Sequence, residues 1–188
     1  MGKGLTRSNK KGAGLEIKRI ALGSPAAISA TAVKTAVTLG ASALTGQTSD
    51  ITSPDVPRNV TVKGNAGGIA GNVVVYGTDF AGNTISETIA LNGSTEVAGN
   101  KGFATVTSYD MPAKTNGSGD TVSIGLGNKL ALPFKLAYDT ILNAFLAGAR
   151  ESTRPTVAVS SSNLYGNTVA LNSSLNGTAV VVDLYTLN

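Results

Sequence analysis

Asn59-Val60-Thr61-Val62-Lys63, Asn72-Val73-Val74-Val75-Tyr76 and Thr84-Ile85-Ser86-Glu87-Thr88-Ile89-Ala90-Leu91 lie within one stretch, Asn59 to Met111. Each run is short and rich in Val, Ile and Thr, the side chains that fit a pleated, half-buried surface. The Gly-rich run Gly64–Gly71 separates the first two, and Asp79-Phe80-Ala81-Gly82-Asn83 separates the second and third. Gly102 to Tyr109 follows as a fourth strand-like run. Asn92-Gly93 reads as a two-residue hairpin turn, because both central positions of a type I′ turn need positive φ. Strands of about 5–8 residues broken by turn chemistry every 8–12 residues predict a mainly β fold, an antiparallel β-sandwich of immunoglobulin-like or jelly-roll-like kind.

Towards the N-terminus the pattern weakens. Residues 1–24 are expected to form a basic flexible arm, although Leu15 to Leu22 would also serve as a first edge strand. Residues 1–20 hold Lys3, Arg7, Lys10, Lys11, Lys18 and Arg19 against one acid, Glu16, while the whole chain has a net charge of only +4. The body is therefore close to neutral and the basic charge sits in its leading segment. Such an arm suits an acidic surface, whether a neighbouring subunit or, less favoured, nucleic acid; a solubilising terminus is the plainer reading. Residues 25–52 form an Ala/Thr-rich extension or first strands, and Thr31 to Val37 leans towards strand. Two prolines mark the loop from Gln47 to Pro57, and residues 53–188 are assigned to the sandwich.

Towards the C-terminus, Val122, Ile124 and Leu126 alternate cleanly. From Lys129 to Arg150 two readings stay open. Tyr138, Ile141, Leu142, Phe145 and Ala149 follow helical spacing, which leaves room for one short helix over 136–150, yet Thr140 to Leu146 also suits a buried strand after Pro133. Thr156 to Ser160 (Val157 and Val159 inward), Asn167 to Leu171 and Thr178 to Leu187 complete the strands, with Asn176-Gly177 as the last hairpin turn.

Composition narrows the chemistry. With no Cys the chain has no disulfide or thiolate metal site, and with no His it lacks the usual general base and most zinc ligation. No apolar run approaches the roughly 18–20 residues that span a bilayer, and no membrane or cofactor partner is expected. Asp79, Gly82 and Asn83 resemble part of a calcium loop, but only one carboxylate is local where Ca²⁺ takes about six to eight oxygens; a turn is the better reading. Glu87 and Glu96 would face each other across the Asn92-Gly93 hairpin. Without Trp and with few aromatics to wall a cleft, they read as solvated strand faces rather than a glycosidase pair. Gly64–Gly71 lacks the Lys-Ser/Thr of a phosphate loop. No catalytic, cofactor or metal residue is assigned, and the chain is expected not to be an enzyme.

One resemblance adds a function. Ser53-Pro54-Asp55-Val56-Pro57-Arg58-Asn59-Val60-Thr61-Val62, Gly71 to Asp79, Glu87-Thr88-Ile89 and Gly99-Asn100-Lys101-Gly102-Phe103 together resemble small virion structural proteins of tailed bacteriophages. The resemblance covers about Ser53 to Thr107, with an echo at Leu130-Ala131-Leu132-Pro133. It implies a non-enzymatic virion part, foremost a head decoration or cementing protein on the major capsid protein and a homo-oligomer. A tail or neck component is the alternative. Gly77 to Thr84 is also similar to the strand-turn-strand of bacterial immunoglobulin-like surface repeats, which keeps a carbohydrate or host-adhesion module in view. Contact to the partner is expected through Lys3, Arg7, Lys10, Lys11, Lys18 and Arg19.

Overall fold

A computed structural model describes residues 15–187. The chain is mainly β, and its sheets are antiparallel and packed as sandwiches. Its only helical element among the described residues is a 3-10 turn at Leu164–Gly166.

The longest strand, β9 (Thr121–Ala131), explains the architecture. Strand β4 (Arg58–Gly64) runs along one side of it. On the other side β2 (Ser29–Thr38) pairs with its first half and β13 (Thr168–Ala170) with its last residues. The two-residue β7 (Val97–Ala98) extends β4, and β12 (Thr156–Ala158) extends β13. Val60 and Val62 of β4, Val33 of β2, and Val122, Ile124 and Leu126 of β9 face a second sheet across an apolar core. That sheet has the order β3 (Leu44–Gln47), β8 (Thr105–Met111), β5 (Asn72–Thr78) and β6 (Thr84–Ala90). It contributes Val73, Val75, Ile85, Ile89, Val106, Tyr109 and Met111.

Beyond Leu126 the same strand enters another core. Leu130, with Leu132 just past the strand's end, packs with Val169 against a third sheet. Its order is β1 (Leu15–Ala21), β14 (Val180–Leu187), β10 (Ile141–Leu146) and β11 (Ala149–Arg150). Ile141, Ala144, Val180, Val182 and Leu184 fill this second core from that side. β9 thus belongs to two sandwiches.

The passage between them is a bulge. Val60 pairs with Leu126 but Arg58 with Leu130, so two extra residues of β9 stand opposite Asn59. A bulge bends its strand and leaves ladder groups without partners. Asn59 meets that need: its Oδ1 accepts the Lys129 N–H at 2.9 Å and its Nδ2 donates to the Gly99 carbonyl at 3.0 Å. Arg58, fully buried, donates through Nε to the Gly127 carbonyl at 2.8 Å and through Nη1 to the Ala26 carbonyl at 2.9 Å. Its counter-charge is Asp55, 3.2 Å away, which also accepts the Ala26 N–H at 2.6 Å. Burial lowers the guanidinium's pKa from its ordinary value, and Asp55 opposes that shift. Gly125 has a separate role, since a Cβ there would run into the backbone of Ser29 and Ala30 where β2 crosses β9.

Several local expectations are corrected. The turn at Asn92-Gly93 is centred on Gly93-Ser94, with the Thr95 N–H on the Asn92 carbonyl at 3.0 Å and Gly93 at φ 56°, and it closes an isolated Asn92–Thr95 bridge rather than a hairpin of two paired strands. It carries the chain from β6 in one sheet to β7 in the other, and Gly93 packs on the Gly67 backbone, where a Cβ would come within 2.5 Å. Asn176-Gly177 likewise leads from the β13 sheet to β14 rather than joining paired strands. Over 136–150 the strand reading holds: β10 and β11 form a hairpin whose two loop residues, Ala147 and Gly148, both have positive φ (51° and 81°), as a type I′ turn requires. Val157 packs partly inward, whereas Val159 is exposed.

The Arg58 clasp yields a test. In Asp55→Ala a fully buried guanidinium loses its counter-charge, and the expected loss is about 3 kcal/mol of unfolding free energy, against ~0–1 kcal/mol for an exposed pair. Urea denaturation followed by circular dichroism measures it.

Candidate interaction surface

The sequence of β1 is Leu-Glu-Ile-Lys-Arg-Ile-Ala, and its register with β14 decides what each face presents. On β14, Val180, Val182 and Leu184 point into the second core, so Val181, Asp183 and Tyr185 point out. Opposite these three on β1 stand Ala21, Arg19 and Ile17. β10 continues the outward rows with Phe145 beside Val181 and Asn143 beside Asp183, and Arg150 of β11 pairs with Phe145. The outer face of this sheet is thus a mixed apolar and cationic surface, with Ile17 at its margin 68% exposed.

Its central feature is Arg19. The guanidinium grips Asp183 with two parallel bonds, Nε to Oδ1 at 2.7 Å and Nη2 to Oδ2 at 2.9 Å, and lies 5.1 Å from the centroid of the Phe145 ring. Bidentate pairing of this kind fixes geometry as well as charge. The hydrogen bonds from Arg19 hold the Asp183 carboxyl below its ordinary pKa. Lys18 points to the opposite side of β1, 5.4 Å from the Phe134 ring centroid and 3.6 Å from the Glu16 carboxylate.

At the end of the sheet a cavity of about 350 Å³ opens between the chain leading into β10 and the end of β14. Phe134, Leu136, Tyr138, Thr140, Tyr185 and Thr186 are among its walls, and Tyr138 is 73% exposed. The Oγ1 atoms of Thr140 and Thr186 are buried in this region without a hydrogen-bond partner. Two of the chain's four phenylalanines and two of its five tyrosines gather on or beside this one sheet.

Of the contact residues expected from sequence, Lys18 and Arg19 lie here, on opposite faces of one edge strand. Lys3, Arg7, Lys10 and Lys11 lie outside the described residues. Sequence reading missed Asp183: strand alternation marks it as outward, but nothing in the order of residues says that it meets Arg19, 164 positions away. It also missed the cavity, whose walls are distant in sequence.

The other candidates are structural in this fold. Asp79 is buried, and its Oδ1 accepts the N–H groups of Ala81 at 2.9 Å and Asn83 at 3.0 Å, closing the β5–β6 turn. Glu87 does not face Glu96. Its carboxylate turns away to accept the N–H groups of Asn100 at 2.6 Å and Lys101 at 3.2 Å, while Glu96 is exposed. Among the described residues no three acidic side chains gather as metal ligands, and no helix is long and apolar enough to cross a membrane.

The Arg19–Asp183 pair makes stability depend on pH with a definite sign. A carboxylate whose folded pKa is depressed contributes stability above its unfolded pKa of about 3.9, and that contribution disappears as pH falls through the lower folded value. Asp183→Asn should therefore melt below the wild type at neutral pH, with the gap closing under acid. Thermal melts from neutral pH down to acid follow that gap; a constant difference would contradict the assignment. No family model, curated protein or solved structure matches this chain.

Proposed function

We propose that this chain is a non-enzymatic structural protein of a tailed-phage virion, a decoration protein that binds the major capsid lattice. The structural observation that carries the reading is the outer face of the β1–β14–β10–β11 sheet. There Ile17, Tyr185, Val181 and Phe145 accompany a cation at the strand that continues the basic leading segment. The resemblance over Ser53 to Thr107 supplies the virion context.

The mechanism is binding alone. A preformed sheet loses little conformational entropy on docking, and repetition over a lattice multiplies modest affinities. The charge available for this is smaller than composition suggests. Arg19 is already neutralised by Asp183 and Lys18 stands beside Glu16, so both side chains serve mainly through their stems and ring contacts. Long-range attraction to an acidic capsid surface then falls to Lys3, Arg7, Lys10 and Lys11.

A second reading has one specific observation behind it. The cavity beside Phe134, Tyr138 and Tyr185 gives the aromatic walls on which a saccharide ring stacks, as a host-adhesion module would need.

Separating heads from tails of purified particles and quantifying this chain in each by mass spectrometry tests the proposal. Many copies on heads, with their loss leaving the heads easier to disrupt, is the expected result. Recovery with tails alone overturns the decoration role. If saccharide binding is then found and Tyr138→Ala abolishes it, the second reading takes its place.

A further inference from the structure

Among the described residues β1 pairs with β14 alone, and its other edge has a hydrogen-bonding frame of its own. Leu22 N–H, next along the chain, donates to the Val180 carbonyl at 2.9 Å, so even-numbered residues turn their backbone groups towards β14. Tyr185, the partner of Ile17, donates its N–H to the Thr140 carbonyl at 3.2 Å, away from β1. In an antiparallel ladder, residues that do not exchange hydrogen bonds with one neighbour turn those groups to the other side. Leu15, Ile17, Arg19 and Ala21 therefore direct N–H and C=O groups to the edge that no other described strand pairs.

This edge is self-complementary. Place a second β1 antiparallel to the first on a two-fold axis through Ile17. Ile17 then exchanges both backbone hydrogen bonds with Ile17 of the second copy. The flanking pairs are Glu16 opposite Lys18 and Lys18 opposite Glu16. These are non-hydrogen-bonded pairs, whose side chains approach most closely, with Cα atoms about 4.5 Å apart. Opposite charges at such positions stabilise a sheet, and like charges oppose it. On the outer face the 68% exposed Ile17 gains a matching apolar neighbour.

We infer that β1 is a homodimerisation edge: two copies join β1 to β1 through Ile17, with reciprocal Glu16–Lys18 pairs, into one continuous eight-stranded sheet. Two 4-stranded sheets merge without a break in their outer faces. The edge guarded against indiscriminate pairing by alternating charge becomes selective for its own sequence. The inference stands on the edge geometry and does not depend on where the protein resides.

Sedimentation of the full chain over a range of concentrations tests it, with three variants. The wild type should dimerise. Glu16→Lys and Lys18→Glu each set like charges opposite each other at two symmetric places and should weaken dimerisation by about tenfold. The double variant Glu16→Lys/Lys18→Glu restores opposite pairs and should recover the dimer. Amide hydrogen exchange locates the contact, because Ile17 and Arg19 amides should slow as the dimer forms. Thermal melts confirm that each variant is folded. A chain that stays monomeric at every concentration overturns the inference, whether or not those amides are protected, since protection in a monomer means another segment of the same chain occupies the edge. A dimer indifferent to both single exchanges, or one that leaves Ile17 and Arg19 exchanging freely, overturns it equally.

Discussion

The bend in β9 is the constraint from which the rest of the molecule follows. The strand that leaves one apolar core and enters another interrupts its ladder here, and an interrupted ladder inside a protein exposes backbone groups to no solvent. Arg58 and Asn59 resolve this from the neighbouring strand. Asn59 substitutes an amide for the missing ladder partners, and Arg58 ties the bulge to Ala26 and Asp55 outside the sheet. A buried guanidinium is a costly way to fill that position, and its Nη2 atom has no partner. A long side chain with several donors nevertheless reaches three segments at once, which no apolar residue does.

The clasp links fold to proposed function. The outward face of the β1 sheet belongs to the second sandwich, whose core rests on Leu130 and Leu132, just beyond the bulge. Its position relative to the first sandwich is set by the direction in which β9 emerges from that bend. Strands remote in sequence complete the face: β14 is the centre on which β1 and β10 both pair.

Much of the first sandwich was legible in the sequence because alternation reports a one-sided strand directly. Val122, Ile124 and Leu126 of β9 read correctly for that reason. The failures have separate physical causes. Asn92-Gly93 has the residues of a hairpin turn, but turn residues set the local backbone and not which strand comes next; here the chain passes from β6 in one sheet to β7 in the other, with Gly93 against the Gly67 backbone. Of the residues at helical spacing over Tyr138 to Ala149 only Ile141 is buried in the core, and a bulge between Ile141 and Asn143 shifts the register so that Ala144 shares its face instead. Asn59 and Thr61 alternate with Val60 and Val62, yet all four are buried. The interaction face was legible only in part: Lys18 and Arg19 stood out as charges, whereas Asp183, Phe145 and the cavity walls come together through register, which no single strand encodes.

Native-state hydrogen exchange tests the sharing of β9 most directly, by comparing the opening free energies of amides on β5 in the first sandwich with those on β14 in the second. If the bend and its clasp make the two sandwiches one cooperative unit, the slowest amides of both strands exchange through the same global unfolding, with equal free energies and equal denaturant dependence. If β14 opens at a distinctly lower free energy while β5 stays protected, the sandwiches are separate units and the account built on β9 is contradicted.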